Sequence, residues 1–181
     1  VTDRPGAYRI YSGKVCSSLV YGYNTLTQRT FGPKSEACVT VDARQLKEGD
    51  YAGISAFLGC YGAVAFTKEE GKYYLVMLGK PALNDTVLAD ADYLEPAIEY
   101  ERVEVNQSSI TLKVHADFED KHDKASFFYL AKDKWIKIGI DQQQYFKVDH
   151  FTGCRFGLFL FSTKEPGGYV DFMKFRYKII E

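Results

Sequence analysis

Turn-forming residues recur along the whole chain at intervals of roughly 8 to 15 residues, and this spacing limits the fold to short elements. Between the turns, apolar and polar residues alternate; within residues 35–42, for example, Ala37, Val39 and Val41 share one face. Helical periodicity never extends beyond about two turns, and the sequence lacks the repeat of roughly 20–50 residues that propeller blades require. We therefore predict about eleven or twelve short strands in an all-β antiparallel β-sandwich or jelly roll.

Length and charge narrow the class of protein further. The chain has 181 residues, which predicts one domain over residues 1–181, and its 23 basic residues nearly balance its 24 acidic ones. This balance predicts neither nucleic acid nor an anionic membrane as a partner. The 14 Tyr, 13 Phe and single Trp make the chain rich in aromatic residues. Aromatic rings often form sugar-binding platforms in β-domains, but composition does not identify which rings these are.

Processing and compartment are less constrained by the sequence. The longest mostly apolar stretch, residues 53–66, is shorter than the roughly 20 residues that a membrane-spanning helix needs. The first residues carry neither an initiator Met nor a signal peptide, so we interpret the sequence as a piece of a longer protein. The four cysteines match no zinc or thioredoxin motif and are expected to be thiols, although one pair could form a disulfide.

Few residues are arranged for catalysis. The three histidines lie on different predicted elements, and no acyl-transfer or nucleotide-binding motif is present. A glycosidase needs two carboxyl groups separated by about 5 to 9.5 Å. Period-two alternation predicts that Glu99 and Glu101 share one face of a strand, which resembles the catalytic strand of some jelly-roll glucanases. The simpler interpretation is a strand with charges facing solvent.

An ordered set of motifs resembles a known family. The motifs are Asp3-Arg-Pro-Gly6, Asn24-Thr-Leu-Thr-Gln-Arg-Thr-Phe-Gly-Pro33, Gly49-Asp-Tyr-Ala-Gly53, Gly71-Lys-Tyr-Tyr-Leu-Val76, Phe151-Thr-Gly153 and Gly168-Tyr-Val-Asp-Phe172. Over nearly the whole chain, they resemble the C-terminal accessory domain of family 43 β-xylosidases and arabinofuranosidases. The resemblance implies a concanavalin A-like sandwich, similar to some xylan-binding modules, beside a propeller catalytic domain in the same parent chain.

The resemblance also implies that this domain is not itself catalytic, since the propeller carries the catalytic carboxylates. Family members usually have a further strand, with a Trp, before the Arg-Pro-Gly motif. We expect that strand to lie outside the sequence, or another segment to cover the sheet edge.

Candidate carbohydrate-binding residues combine aromatic rings with planar polar groups. Tyr61 lies between glycines that leave room around it, and Tyr23 and Asn24 precede a predicted strand. Gln28 and Arg29 occupy adjacent positions of that strand, so only one of them can face a given cleft. For each candidate, packing or solvation is the competing interpretation.

Three further candidates complete the predicted site. Trp135 is the only Trp and follows a hairpin turn; it is a binding candidate, with packing over the sheet edge as the alternative. By the resemblance, Phe151 would be a loop aromatic at the rim of the propeller's pocket, or else would close its own loop. Asp171 is a candidate ligand for a structural Ca²⁺, with a hydrogen-bonded structural role as the alternative. No other cofactor is expected.

Three functions follow as hypotheses. The favoured one is a non-catalytic carbohydrate-binding module for plant cell-wall polysaccharide, with β-xylan or a related hemicellulose as its partner. The second is a structural accessory domain that stabilises a β-propeller β-xylosidase and completes its active-site pocket. The third is a small jelly-roll hydrolase that uses Glu99 and Glu101. The polysaccharide hypotheses favour a secreted protein, with a cytoplasmic one as the alternative.

Overall fold

Two antiparallel sheets make up the part of the chain that the computed structural model describes, residues 4–81, 95–145 and 153–180. The strands are β1 (Ala7–Tyr11), β2 (Leu26–Arg29), β3 (Lys34–Asp42), β4 (Asp50–Leu58), β5 (Cys60–Glu69), β6 (Lys72–Lys80), β7 (Ile98–Val105), β8 (Ser109–Asp117), β9 (Lys124–Ala131), β10 (Lys134–Lys137), β11 (Gln142–Gln143), β12 (Arg155–Ser162) and β13 (Tyr169–Ile180). Two single 3₁₀ turns, Leu19–Tyr21 and Glu119–Lys121, accompany them. The all-β prediction is confirmed.

The strand order places the first and last strands side by side. Sheet A has the order β1-β13-β3-β8-β9-β10, with the short β11 also paired to β9. Sheet B has the order β2-β12-β4-β5-β6-β7. The edge strands β1 and β2 therefore lie on one side of the sandwich, and β10 and β7 are the edges on the other.

The main core lies between the sheets and follows from the period-two alternation of the strands. Ala37, Val39 and Val41 of β3 are fully buried, as the pattern of residues 35–42 predicts. Opposite them, Ile54 of β4 and Phe66 of β5 bring sheet B into the same cluster. Burial of this apolar surface is the principal force that holds the two sheets together.

A second apolar cluster covers the outer face of sheet B. Tyr61, Phe159 and Phe161 belong to it, together with Leu19 from the first 3₁₀ turn. The N-terminal segment reaches this cluster by a bridge between Val15 and Ser162. As a result, strand β5 is buried on both faces over most of its length, so its sequence reads as an apolar run rather than an alternation.

The four cysteines are all free thiols, as expected. Among the described residues, no helix has both the length and the apolar character needed to cross a membrane.

Candidate functional site

An apolar groove opens on the side of the sandwich where β1 and β2 are the sheet edges. We call it the β1–β2 groove; it has a volume of about 270 Å³. The residues that line it are Tyr8, Leu26, Thr27, Gln28, Phe156, Leu158, Phe172 and Phe175. Its floor is made of core residues that face inward between the sheets, and its rim is made of the exposed rings of Tyr8 and Phe175 and the exposed side chain of Leu26.

Strand register explains why Gln28 faces the groove and Arg29 does not. Gln28 lies opposite Phe156, an inward-facing core residue of β12, whereas Arg29 lies opposite Arg155. Directly opposed residues of an antiparallel pair point to the same side of the sheet. The two adjacent positions therefore face opposite sides, as the alternation predicts, and only Gln28 lies in the groove.

The two rim aromatics, Tyr8 and Phe175, were not among the residues that sequence reasoning singled out. Tyr8 is 40% exposed and lies opposite Phe172, at the outer edge of sheet A. Phe175 is 41% exposed and follows Lys174, which has a positive φ of 52° at an irregularity in the pairing of β13 with β3. Strict alternation from Phe172 would turn Phe175 to the opposite face, and the bulge returns it to the groove.

The composition of the groove suits the face of a sugar ring. Aromatic rings offer flat apolar area to sugar C–H groups, and an amide or hydroxyl at the rim can orient the sugar hydroxyls. The Gln28 side-chain amide donates to the carbonyl oxygen of Arg29 at 3.2 Å, and its side-chain oxygen, a potential acceptor, receives no hydrogen bond from the residues that the structure describes. The hydroxyl of Thr27 accepts a hydrogen bond from Arg155 at 3.2 Å.

Tyr23 and Asn24 lie at the surface just before β2, outside the lining of the groove. Tyr23 is 74% exposed, and the ammonium of Lys14 is 3.7 Å from its ring centroid. Asn24 donates its side-chain amide to the carbonyl oxygen of Tyr11 at 3.0 Å, which attaches this segment to the end of β1. These two residues are therefore accessible but belong to a neighbouring part of the surface.

Tyr61 is placed where no external ligand reaches it in this structure. Its side chain is 1% exposed, within the second apolar cluster on sheet B. Its hydroxyl lies 3.3 Å from that of Ser18, and burial raises the pKa of Tyr61. This burial favours the packing interpretation of Tyr61 over the ligand-contact interpretation. The small neighbours that suggested open space instead allow β-strands and core rings to approach closely: a Cβ on Gly62 would lie 2.5 Å from Phe127.

Of the two remaining aromatic candidates, only Trp135 lies within the described residues, and it is away from the groove. Trp135 lies on β10, at the edge of sheet A opposite β1, with the Lys113 ammonium 4.5 Å from its ring centroid. Phe151 lies outside the described residues. Its role at a pocket rim stays a prediction.

Asp171 has arginine partners that do not fit the predicted Ca²⁺ site. Both of its carboxylate oxygens accept from Arg9, at 2.7 and 2.9 Å, and one also accepts from Arg4 at 2.9 Å. These arginines lower the pKa of Asp171. Two guanidinium groups occupy the space where a cation would bind, so the site disfavours Ca²⁺. The structural alternative, a hydrogen-bonded Asp, describes its surroundings.

Glu99 and Glu101 do not form a carboxylate pair. Glu99 lies opposite Leu78 and Glu101 opposite Met77, so the bulge at Tyr100 turns the two carboxylates to opposite faces of sheet B. Glu99 is engaged by Arg102 through two hydrogen bonds, of 2.7 and 2.9 Å. Glu101 accepts a hydrogen bond from the backbone N–H of Gly139 at 2.6 Å. The prediction that they share a face is therefore wrong.

The family of the chain follows from comparison with known proteins. Residues 1–178 match the family described as the β-xylosidase C-terminal concanavalin A-like domain. The chain belongs to this family.

Solved structures agree with membership of this concanavalin A-like family. A bifunctional GH43-CE protein from Bacteroides eggerthii is 37% identical with a TM-score of 0.86, and the match covers 99% of this chain and 22% of that one. An engineered GH43 glycoside hydrolase, described as displaying both endo-xylanase and exo-arabinofuranosidase activity, is 25% identical with a TM-score of 0.84, covering 97% of this chain and 34% of that one. A GH43 protein from Bacillus licheniformis, at 18% identity, covers 99% of this chain and 34% of that one, and its TM-score of 0.78 supports the fold.

The concanavalin A-like domain spans between about a fifth and a third of these GH43 chains. None of the curated proteins compared with the sequence matches it.

Proposed function

We propose that the chain is a non-catalytic accessory domain of a GH43-type glycoside hydrolase, and that it binds plant cell-wall polysaccharide, foremost β-xylan, in the β1–β2 groove. The observation that carries the proposal is the groove itself, with two exposed aromatic rings on its rim and an amide facing into it. This combination provides both the apolar stacking area and the polar orientation that sugar recognition requires.

Two further observations support the proposal. The family is defined by domains of β-xylosidases, and one GH43 neighbour is described as having endo-xylanase and exo-arabinofuranosidase activity. The glutamates that suggested a hydrolase point to opposite faces and are held by other groups. A polysaccharide outside the cell as ligand also implies a secreted parent protein.

Affinity electrophoresis tests the proposed ligand. The chain is run through native gels that contain soluble arabinoxylan, xyloglucan or no polysaccharide. We expect retardation by the xylan, and we expect Tyr8→Ala to weaken it about tenfold, which corresponds to about 1.4 kcal/mol for one lost aromatic contact. Gln28→Ala should weaken binding less, since it removes a polar contact but little apolar area.

Trp135 provides a control for Tyr8, because the two residues lie on opposite edges of sheet A. Trp135→Ala removes an exposed ring outside the groove, so it should leave the retardation unchanged. Free migration of the unaltered chain in every gel would contradict polysaccharide binding. Loss of retardation in Trp135→Ala, with retention in Tyr8→Ala, would move the site to the β10 edge.

A second function is favoured by the apolar character of the groove floor. We propose as the alternative that the groove is the docking surface for the catalytic domain of the same parent chain, since the matched GH43 proteins are several times longer than this chain. In that case Tyr8→Asp in the parent enzyme should lower the melting temperature of its catalytic unit. The isolated domain should then pass through xylan gels without retardation.

Phe151 enters the same experiment, because the docked domain is expected to place this loop at the catalytic pocket. Phe151→Ala in the parent enzyme should then raise KM for the oligosaccharide substrate. Unchanged kinetics together with an unchanged melting temperature for Tyr8→Asp would count against docking.

A further inference from the structure

Three arginines and two aspartates surround a second concave site on sheet A. We call it the arginine pocket; it has a volume of about 290 Å³. The residues that line it are Arg4, Arg9, Asp42, Arg44, Gln45, Tyr169 and Asp171. Strand register places Arg9 opposite Asp171 and Asp171 opposite Asp42, so the charges form a row across β1, β13 and β3.

The side chains of this row face away from the core. Asp171 directly precedes Phe172, which points inward and is buried in the main core. The arginine pocket is therefore on the outer face of sheet A, whereas the β1–β2 groove is lined by the inward-facing positions Tyr8 and Phe172. The two sites share strands β1 and β13 but lie on opposite sides of sheet A.

The arginine pocket carries an excess of positive charge. Arg44 forms a bidentate pair with Asp42, at 2.9 and 2.6 Å, and Arg9 forms one with Asp171. These two pairs already neutralise both aspartates. Arg4 then adds a third guanidinium, which touches both carboxylates through one nitrogen, at 2.7 Å from Asp42 and 2.9 Å from Asp171. The net charge of the group is one positive unit.

Hydrogen-bond donors remain available at two of the arginines. Arg4 uses only Nη1 for the aspartates, and Arg44 uses Nε and Nη2. Within the described ranges of the chain, Nε and Nη2 of Arg4 and Nη1 of Arg44 donate to no protein acceptor. The Arg44 side chain is 61% exposed and can reorient toward a ligand. Guanidinium donors in excess over carboxylate acceptors select an anion, and their planar geometry matches a carboxylate.

An aromatic wall beside the charges narrows the class of anion. The Arg9 guanidinium stacks over the ring of Tyr169 at 4.1 Å, and the exposed ring of Tyr11 is 5.5 Å from Tyr169. The side-chain amide of Asn24 donates a hydrogen bond to the backbone carbonyl oxygen of Tyr11. This contact brings the exposed segment before β2 to the end of β1 where Tyr11 lies. A ligand with a sugar ring beside its carboxylate would contact both the aromatic wall and the arginines.

We propose that the arginine pocket binds the carboxylate group of an acidic sugar, a uronic acid, with the pyranose ring against Tyr11 and Tyr169. The assignment does not depend on the β1–β2 groove. The proposal extends the domain's ligands from neutral polysaccharide to polysaccharide that carries carboxylate groups. A free sugar acid and a uronic acid side group on a polymer share this chemistry.

NMR titration of the isolated chain tests the site directly. Sodium glucuronate is added up to on the order of 10 mM, and the arginine Nε–H resonances and backbone amides are followed. We expect saturable shifts at Arg4, Arg9 and Arg44, and none with glucose at the same concentration. Acetate tests whether the sugar ring contributes, and we expect it to bind at least severalfold more weakly than glucuronate.

Substitution of Arg44 tests which group recognises the carboxylate. Arg44→Gln should weaken glucuronate binding about tenfold, the effect of one lost charge-assisted contact. Arg176→Gln is the control, because Arg176 is an exposed arginine on β13, the strand that also carries Asp171, but it lies outside the pocket. Arg44→Lys retains the charge that pairs with Asp42 but loses the planar fork, so it should fold normally and weaken binding severalfold.

The outcomes separate this proposal from the proposed function. Glucuronate binding that is weakened by Arg44→Gln but unaffected by Tyr8→Ala supports the arginine pocket, whatever the result with neutral xylan. No shift at any of the three arginines would overturn the proposal, as would equal affinity for acetate and glucuronate. Full affinity in both Arg44→Gln and Arg44→Lys would overturn it as well. In affinity gels, retardation by glucuronoxylan beyond that by an uncharged xylan extends the supported ligand from the free acid to the polymer.

Discussion

Replacement of Tyr61 by alanine should destabilise the domain by about 3–5 kcal/mol, the usual cost of removing a buried aromatic ring. Tyr61 is 1% exposed and packs in the second apolar cluster with Phe159 and Phe161. The strands on either side are paired along their whole length, so the cluster has little freedom to collapse into the cavity. Since single domains are stable by only about 5–15 kcal/mol, this loss is a large fraction of the total.

Tyr61→Phe separates the ring from its hydroxyl. The hydroxyl lies 3.3 Å from that of Ser18, a long hydrogen bond, so its loss should cost about 1 kcal/mol. Tyr23→Ala is the exposed control and should change stability by less than about 0.5 kcal/mol. Urea unfolding followed by circular dichroism gives each free energy, and an unchanged slope shows that the unfolding transition is the same.

The same variants distinguish packing from ligand contact. The packing argument is refuted if the free energy of unfolding of Tyr61→Ala lies within about 1 kcal/mol of that of the unaltered chain while polysaccharide retardation is lost. In that case the ring contacts ligand. If Tyr61→Phe retains retardation while Tyr61→Ala is destabilised as calculated, the ring serves the fold. For a domain of this size, a loss of 3–5 kcal/mol corresponds to a fall in melting temperature of roughly 6–20 °C.

Two further predictions concern charge and backbone contact. Arginine contacts hold the pKa values of Asp42 and Asp171 below the usual 3.8. In acid, the folded state therefore binds fewer protons than the unfolded state. The stability that these two groups contribute is present above about pH 4 and is lost as the pH falls through the folded pKa values. Urea unfolding between pH 7 and 2 should therefore show an acid limb that is shallower in Asp171→Asn, and identical limbs would contradict the assignment. Gly53→Ala should destabilise the domain by at least about 3 kcal/mol or prevent folding, because a Cβ there would lie 2.0 Å from the carbonyl oxygen of Val64, which belongs to the neighbouring strand's backbone. Gly13→Ala is its control, since the nearest atom to a Cβ at that position is 3.9 Å away, and thermal unfolding that ranks the two variants equally would refute the close-approach argument.

Local patterns in the sequence were sufficient for the fold class and for the faces of regular strands. The alternation in residues 35–42 predicts the buried face of β3, and the turn spacing predicts short strands. Gln28 and Arg29 face opposite sides as adjacent strand residues must, because each Cβ of an extended chain alternates. These features depend on neighbouring residues alone, so they can be read without knowing which strands pair.

The same patterns could not predict irregular pairing between strands. The bulge at Tyr100 turned Glu99 and Glu101 to different faces, and the bulge beside Lys174 turned Phe175 into the groove. A bulge adds one residue to one strand of a pair, so its position depends on the partner strand as well as on the local sequence. Alternation alone therefore placed Glu99 and Glu101 on one face, which is wrong, and it carries no indication that Phe175 faces the groove.

The sequence by itself determined that this chain is an aromatic-rich all-β sandwich of the β-xylosidase C-terminal family. Only the tertiary structure decided what surrounds each candidate residue. Asp171 is paired with Arg9, which is 162 residues away in the sequence, and Tyr61 lies beneath a segment whose Ser18 is 43 residues away. Such contacts arise because the order of the strands in each sheet brings distant parts of the sequence together. Burial then determines whether an aromatic ring packs in the core or faces solvent, and whether a carboxylate pairs with an arginine or is hydrated.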